Sequence, residues 1–116
     1  MQLIADLKEV LHARLDIPQD YHILFTSSAT ESWEIIAQSL TLRQSQHFYN
    51  GAFGEKWHTR AMALVETLAT PFDLNEPLPV EKVSDADVIC ATQNETSNGS
   101  QVRMDVLQSL RKSTDQ

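Results

Sequence analysis

The chain has 116 residues, 41% of them hydrophobic and 22% charged, with 16 acidic side chains against 9 lysines and arginines and a formal net charge of -7. That length allows one small domain with a single core, and the mixture is that of a globular protein rather than a disordered one. The acidic balance, with no basic cluster to interrupt it, argues against nucleic acid or an anionic membrane as partner; an anionic ligand would need a local device, such as the N–H groups at a helix start.

Cys90 is the only cysteine, which excludes an internal disulfide and suits a reducing compartment. The opening MQLIADLKEVLHARLD lacks a signal-peptide core, and no stretch approaches the ~20 apolar residues of a membrane span. A cytoplasmic location is the expectation. His12, His22, His47 and His58 show no metal-ligand spacing with Cys90 or a carboxylate, so no metal site is expected.

Ile4, Leu7, Val10 or Leu11, and Leu15 recur at helical spacing, which predicts an amphipathic first helix. Pro18 ends it, and YHILFTSS reads as a buried strand. From Thr30 the pattern turns helical again, with Trp33, Ile36, Ala37 and Leu40 on one face; Ser28 and Glu31 have capping-box spacing. His47-Phe48-Tyr49 reads as a short second strand. Residues 50–54 are a loop before a helix carrying Trp57, Ala61, Leu64, Val65 and Leu68.

The prolines of PFDLNEPLPV make an irregular connection, with a short strand expected around residues 80–83. Residues 87–92 form an apolar run fit for a strand. A polar loop and a helix with Val102, Val106, Leu107 and Leu110 follow, and the closing Ser-Thr-Asp-Gln is expected to fray. Strands alternating with helices predict an α/β fold with a mostly parallel sheet. Ligands of such sheets sit beyond the carboxyl ends of the strands. Three loops qualify, at residues 27–30, 50–54 and 93–99, and any site should form where they meet.

Each loop has two readings. Ser28, Ala29 and Thr30 present small residues, N–H groups and hydroxyls at a helix start, suited to a phosphate or to plain capping. Phe53 sits in a loop, free to offer its face to a flat ligand or to tuck into the core. The run Gln93-Asn94-Glu95-Thr96-Ser97-Asn98-Gly99 can hydrogen-bond a bound ring or serve as a turn. Lys8, Lys56, Lys82 and Lys112 are all read as solvated.

In order, the segments LDIPQDYHILFTSSATESWEIIAQSL, FYNGAFGEKW and VICATQNETSNG resemble the class V pyridoxal-phosphate-dependent aminotransferases, and within them the phosphoserine branch. The resemblance implies a three-layer sandwich: residues 1–116 would be part of the large cofactor domain of a fold type I enzyme. It implies pyridoxal 5'-phosphate as cofactor, its phosphate held by Ser28, Ala29 and Thr30, its ring stacked on Phe53 and hydrogen-bonded by Thr96. Many relatives carry glycines where this chain has Ser28 and Ala29. The lysine that holds the cofactor covalently and the aspartate that pairs with its pyridine nitrogen would fall beyond Gln116, so no catalytic residue is assigned and the chain alone is expected to be inactive. The implied parent is a homodimer moving an amino group between phosphoserine and a 2-oxo acid. A serine- or alanine-glyoxylate aminotransferase, or a non-catalytic remnant or interaction module, are the alternatives.

Overall fold

The computed structural model describes residues 2–113; the tail expected to fray lies outside the described residues beyond Ser113. Its centre is a three-stranded parallel sheet in the order β2-β1-β3, formed by β1 (Gln44–Tyr49), β2 (Glu66–Pro71) and β3 (Val88–Ala91). In register, Gln46 stands opposite Leu68 on one side and Ile89 on the other. Parallel neighbours need a crossover, and α3 (Ala52–Met62) supplies the one between β1 and β2.

Side chains alternate across a strand, so β1 serves two faces. His47 meets Trp57 and His58 of α3. On the opposite face Phe48, 2% exposed, packs with Leu78 and with Leu110 of α4 (Met104–Lys112). Helices on both sides of a parallel sheet give the α/β sandwich expected from the sequence. The central strand is nevertheless polar, since Ser45, Gln46 and His47 are all buried. Gln46 satisfies its amide by donating to Thr70 Oγ1 and the Lys82 carbonyl, both at 2.8 Å, and by accepting from the Ser84 N–H at 2.8 Å. The pairing ties β1 to β2 and to the connection before β3. Such fully bonded polar groups cost little buried, whereas unbonded ones cost about 1–3 kcal/mol.

The first helix, α1 (Gln2–Arg14), forms where the periodicity predicts. Four of its apolar residues are not covered by the described residues: Leu3, Ile4, Leu7 and Val10 are all at least 40% exposed. After it comes the clearest departure from expectation. Residues 21–28 form no strand and pair with none among the described residues, and Tyr21, Leu24 and Phe25 are exposed. An apolar run becomes a strand only where a neighbour takes its N–H and C=O groups, and the sheet described here offers it none.

Three smaller corrections follow. The helix expected to reach Leu68 ends at Met62; residues 66–71 are β2, whose pairing with β1 overrides a spacing that also fits a helix. Pro71 is tolerated because β2 is an edge strand and Pro71 closes it. Residues 80–82 are a 3-10 turn, not a strand, closed by the Lys82 N–H on the Pro79 carbonyl at 3.0 Å. Val102 lies just before α4, where its N–H donates to the Gln93 carbonyl at 2.7 Å.

Candidate functional site

α2 (Ala29–Ile35) starts as the capping-box spacing predicts. The Ser28 hydroxyl accepts from the Glu31 N–H at 3.1 Å, and the Glu31 carboxylate accepts from the Ser27 N–H at 3.1 Å and from the Ser27 hydroxyl. Those bonds from Ser27 hold the Glu31 carboxyl below its ordinary pKa. The carboxylate therefore reaches one residue further back than the usual reciprocal cap. α2 runs on into a π-helical turn over Ile36–Leu40. Trp33 of α2 stacks on Trp57 of α3, which docks the Ser28–Thr30 end of α2 beside the start of α3.

The start of α3 is held by the third loop. β4 (Asn94–Glu95) and β5 (Ser100–Gln101) make a small antiparallel hairpin beyond β3. Its turn is closed by the Gly99 N–H on the Glu95 carbonyl at 3.0 Å, with Gly99 in the left-handed region at φ 72°. From this turn the Glu95 carboxylate, 1% exposed, accepts from the N–H groups of Gly54 at 2.8 Å and Phe53 at 3.3 Å. The Ser97 hydroxyl accepts from the Ala52 N–H at 3.0 Å. The first-turn donors that a helix leaves without internal acceptors are thus met from across the chain.

Close approach explains the two glycines of the middle motif. A Cβ on Gly51 would fall inside the Glu95 side chain, 2.7 Å from its Cδ, and one on Gly54 would come 2.5 Å from Tyr49 Cβ. Asn98 Nδ2 donates to the Asn50 carbonyl at 2.9 Å, and Asn50 Nδ2 to Ser100 Oγ at 3.2 Å. The asparagine-glycine and asparagine-glutamate-threonine motifs are two halves of one hydrogen-bonded unit. Sequence reading missed Glu95; the signal available was Gly51, which makes room for its side chain.

The three loops do meet. Ala29, Thr30 and Trp33 from the first, Phe53 and Lys56 from the second, and Asn94 and Thr96 from the third line one open cavity of about 270 Å³. Of the five residues singled out beforehand, Ala29, Thr30, Phe53 and Thr96 line it, while Ser28 stands one residue outside as the cap of α2. Phe53 lies in the first turn of α3 rather than in a loop, and it is 47% exposed, not tucked into the core. Lys56, read as solvated, is exposed and also lines the cavity, where it is the only charged residue among the described lining.

His47 and His58 form a pair, their ring centroids 5.3 Å apart. His47 Nε2 bonds Ser45 Oγ at 2.9 Å, but its buried Nδ1 has no partner among the described residues, and burial, with His58 alongside, pushes its pKa down to about 4. Burial also lowers the pKa of His58, against a smaller opposing pull from Glu55; its Nε2 bonds Thr67 Oγ1 at 3.0 Å. Among the described residues no group of three or more His, Cys, Asp or Glu could hold a metal ion, and no helix is long and apolar enough to cross a membrane.

A parallel sheet covered by helices, with three loops meeting at one cavity, defines an α/β unit, and comparison with solved structures gives it the fold of part of an aminotransferase. One such structure is a phosphoserine aminotransferase from Cytophaga hutchinsonii, with a TM-score of 0.83 and 30% sequence identity over 91% of this chain. The chain spans 30% of that protein's length. The likeness to the class V aminotransferases read from the three loop motifs thus extends to the three-dimensional fold. No family model and no curated protein matches the sequence.

Proposed function

We propose that this chain is the cofactor-gripping segment of a pyridoxal-phosphate-dependent aminotransferase, and that the whole enzyme moves an amino group between phosphoserine and a 2-oxo acid. The observation that carries the reading is the convergence of Ala29, Thr30, Phe53 and Thr96 on one cavity, because those residues come from three loops far apart in sequence. The chemistry of the lining fits the group. N–H groups of the first turn of α2 lack intrahelical acceptors and suit a phosphate, with the Lys56 ammonium nearby to offset the acidic chain. The exposed face of Phe53 suits a flat ring, and the Thr96 hydroxyl can donate to or accept from a ring substituent.

When bound, the cofactor supplies an electron sink for chemistry at the amino-acid α-carbon. This chain's own contribution is grip and orientation, with Ser28 acting through the shape of the turn it caps. In such an assembly this segment would dock on the rest of its own subunit and on a second copy, with amino-acid and 2-oxo-acid substrates entering above the ring, as in a cytoplasmic enzyme of amino-acid biosynthesis.

The test uses pyridoxamine 5'-phosphate, whose amine cannot condense with lysines. Trp33 lines the cavity, so binding there must quench its fluorescence. A saturable quench, weakened by Phe53→Ala, is the expected result. A linear, non-saturating quench, or a saturable one indifferent to Phe53→Ala, overturns the reading.

A further inference from the structure

Glu95 is almost fully buried in an acidic chain, and a carboxylate at that depth must be matched by donors. Among the described residues its donors fall on two segments. On α3 they are the N–H groups of Gly54 and Phe53; on the hairpin turn they are the hydroxyl of Ser97 at 2.8 Å and its N–H at 3.4 Å. Burial by itself would raise the Glu95 pKa, but these bonds outweigh it and hold the carboxyl below its ordinary range. The side chain is therefore an anion bolted to the positive end of α3.

Two residues beside Glu95 line the cavity. Phe53 is held by its own N–H, and Thr96 is the next residue along the chain. The α2 side of the cavity is attached differently, through Trp33 on Trp57, and none of the Glu95 bonds reaches it.

From this arrangement we infer that Glu95 is a positioning residue which couples Phe53 and Thr96 into one rigid jaw of the cavity, while the Ala29–Thr30 jaw is set independently. The coupling is a property of the protein alone; its effect on a ligand rests on the cofactor reading given above. Glutamine in place of Glu95 keeps the shape but turns one of two acceptor oxygens into a donor, facing either the Gly54 N–H or the Phe53 N–H with the two Ser97 donors.

Two readouts on the 116-residue chain test this. The first is the set of side-chain χ1 couplings of Phe53, Thr96 and Thr30, measured by NMR in the native sequence and in Glu95→Gln. Phe53 and Thr96 should both shift toward rotamer averaging, with Thr30 unmoved. The second is the dissociation constant of pyridoxamine 5'-phosphate, which Glu95→Gln should raise about tenfold in the native background and less than twofold where Phe53→Ala and Thr96→Ala have already removed the contacts it positions. If Glu95→Gln does not fold, Ser97→Ala, which removes the hydroxyl tie, must loosen both residues instead. Unchanged Phe53 and Thr96 couplings in a folded variant overturn the inference, as does an equal change at Thr30, which would mean general loosening. Couplings that respond in a chain that binds no ligand leave the jaw standing and defeat the cofactor reading alone.

Discussion

Trp33 and Trp57 lie face to face, their ring centroids 5.8 Å apart and their planes inclined by 11°. This stack is what joins α2, a helix of seven residues, to the rest of the fold, since helices that short are not stable by themselves. Trp57 in turn takes His47 edge-on at 5.7 Å, so the stack stands directly on the sheet.

Trp33→Ala should therefore undock α2 without unfolding the sheet. The expected cost is about 3 kcal/mol, typical of a large aromatic truncation. It would be seen as a fall in the denaturation midpoint, together with faster amide exchange over residues 28–35. Exchange that quickens equally in β1 would show that α2 is an integral part of the core.

Gly54→Ala should cost roughly 1–3 kcal/mol as an overpacking change, because the added methyl would meet Tyr49 Cβ at 2.5 Å on a strand that cannot retreat. Gly54 is buried at the junction of β1, α3 and Glu95. A thermal melt is enough to check it, and an unchanged melting temperature would mean that α3 can slide.

The acid response follows from His47, whose folded pKa of about 4 lies below the ordinary 6.5. The folded state keeps the ring neutral while the unfolded chain takes up a proton, so stability is complete above pH 6.5 and declines as the pH falls toward 4. With a discount for solvent reach, the loss is roughly 2 kcal/mol. Below about pH 4.5 Glu95 adds a second decline, because its folded pKa is depressed and its stabilisation goes as it protonates. His47→Phe should shrink the first decline to the part that His58, also lowered by burial, contributes, and keep the second, as read by urea melts between pH 7 and 3.

Thr30→Ala and Thr96→Ala should each weaken pyridoxamine 5'-phosphate binding by about 1–3 kcal/mol, roughly five- to hundredfold in dissociation constant. A purely structural role predicts lower melting temperatures with unchanged affinity. Both measurements on both variants separate the two, and stability loss alone at both positions would dissolve the shared site.

What could be read from the sequence was whatever local chemistry decides. α1 follows from Ile4, Leu7 and Leu15, the α2 cap from Ser28 and Glu31, and β3 from the run Val88-Ile89-Cys90. β1 was legible only in its apolar half, because Gln44, Ser45 and Gln46 are strand residues by virtue of partners on β2 and β3. β2 was hidden by Leu64, Val65 and Leu68, whose spacing fits either period. Residues 21–28 show the reverse error, an apolar run taken for a strand without a neighbour to make it one. Within the cavity, Phe53 and Thr96 came from motif resemblance, while Glu95 was passed over because its loop reads as polar and the room that Gly51 leaves for its carboxylate shows only in three dimensions.

Gly99 differs from the other two glycines in one respect: nothing lies within 4 Å of where its Cβ would stand, so only its positive φ demands glycine. That separates handedness from size. L-alanine there would strain the backbone, asparagine would be tolerated better, and the mirror-image D-alanine, introduced by chemical ligation, would sit at ease while restricting the unfolded chain. Stabilisation of about 0.4–1 kcal/mol is the scale for such a restriction, and position 99 is where a stereochemical substitution could firm the hairpin without touching the cavity wall.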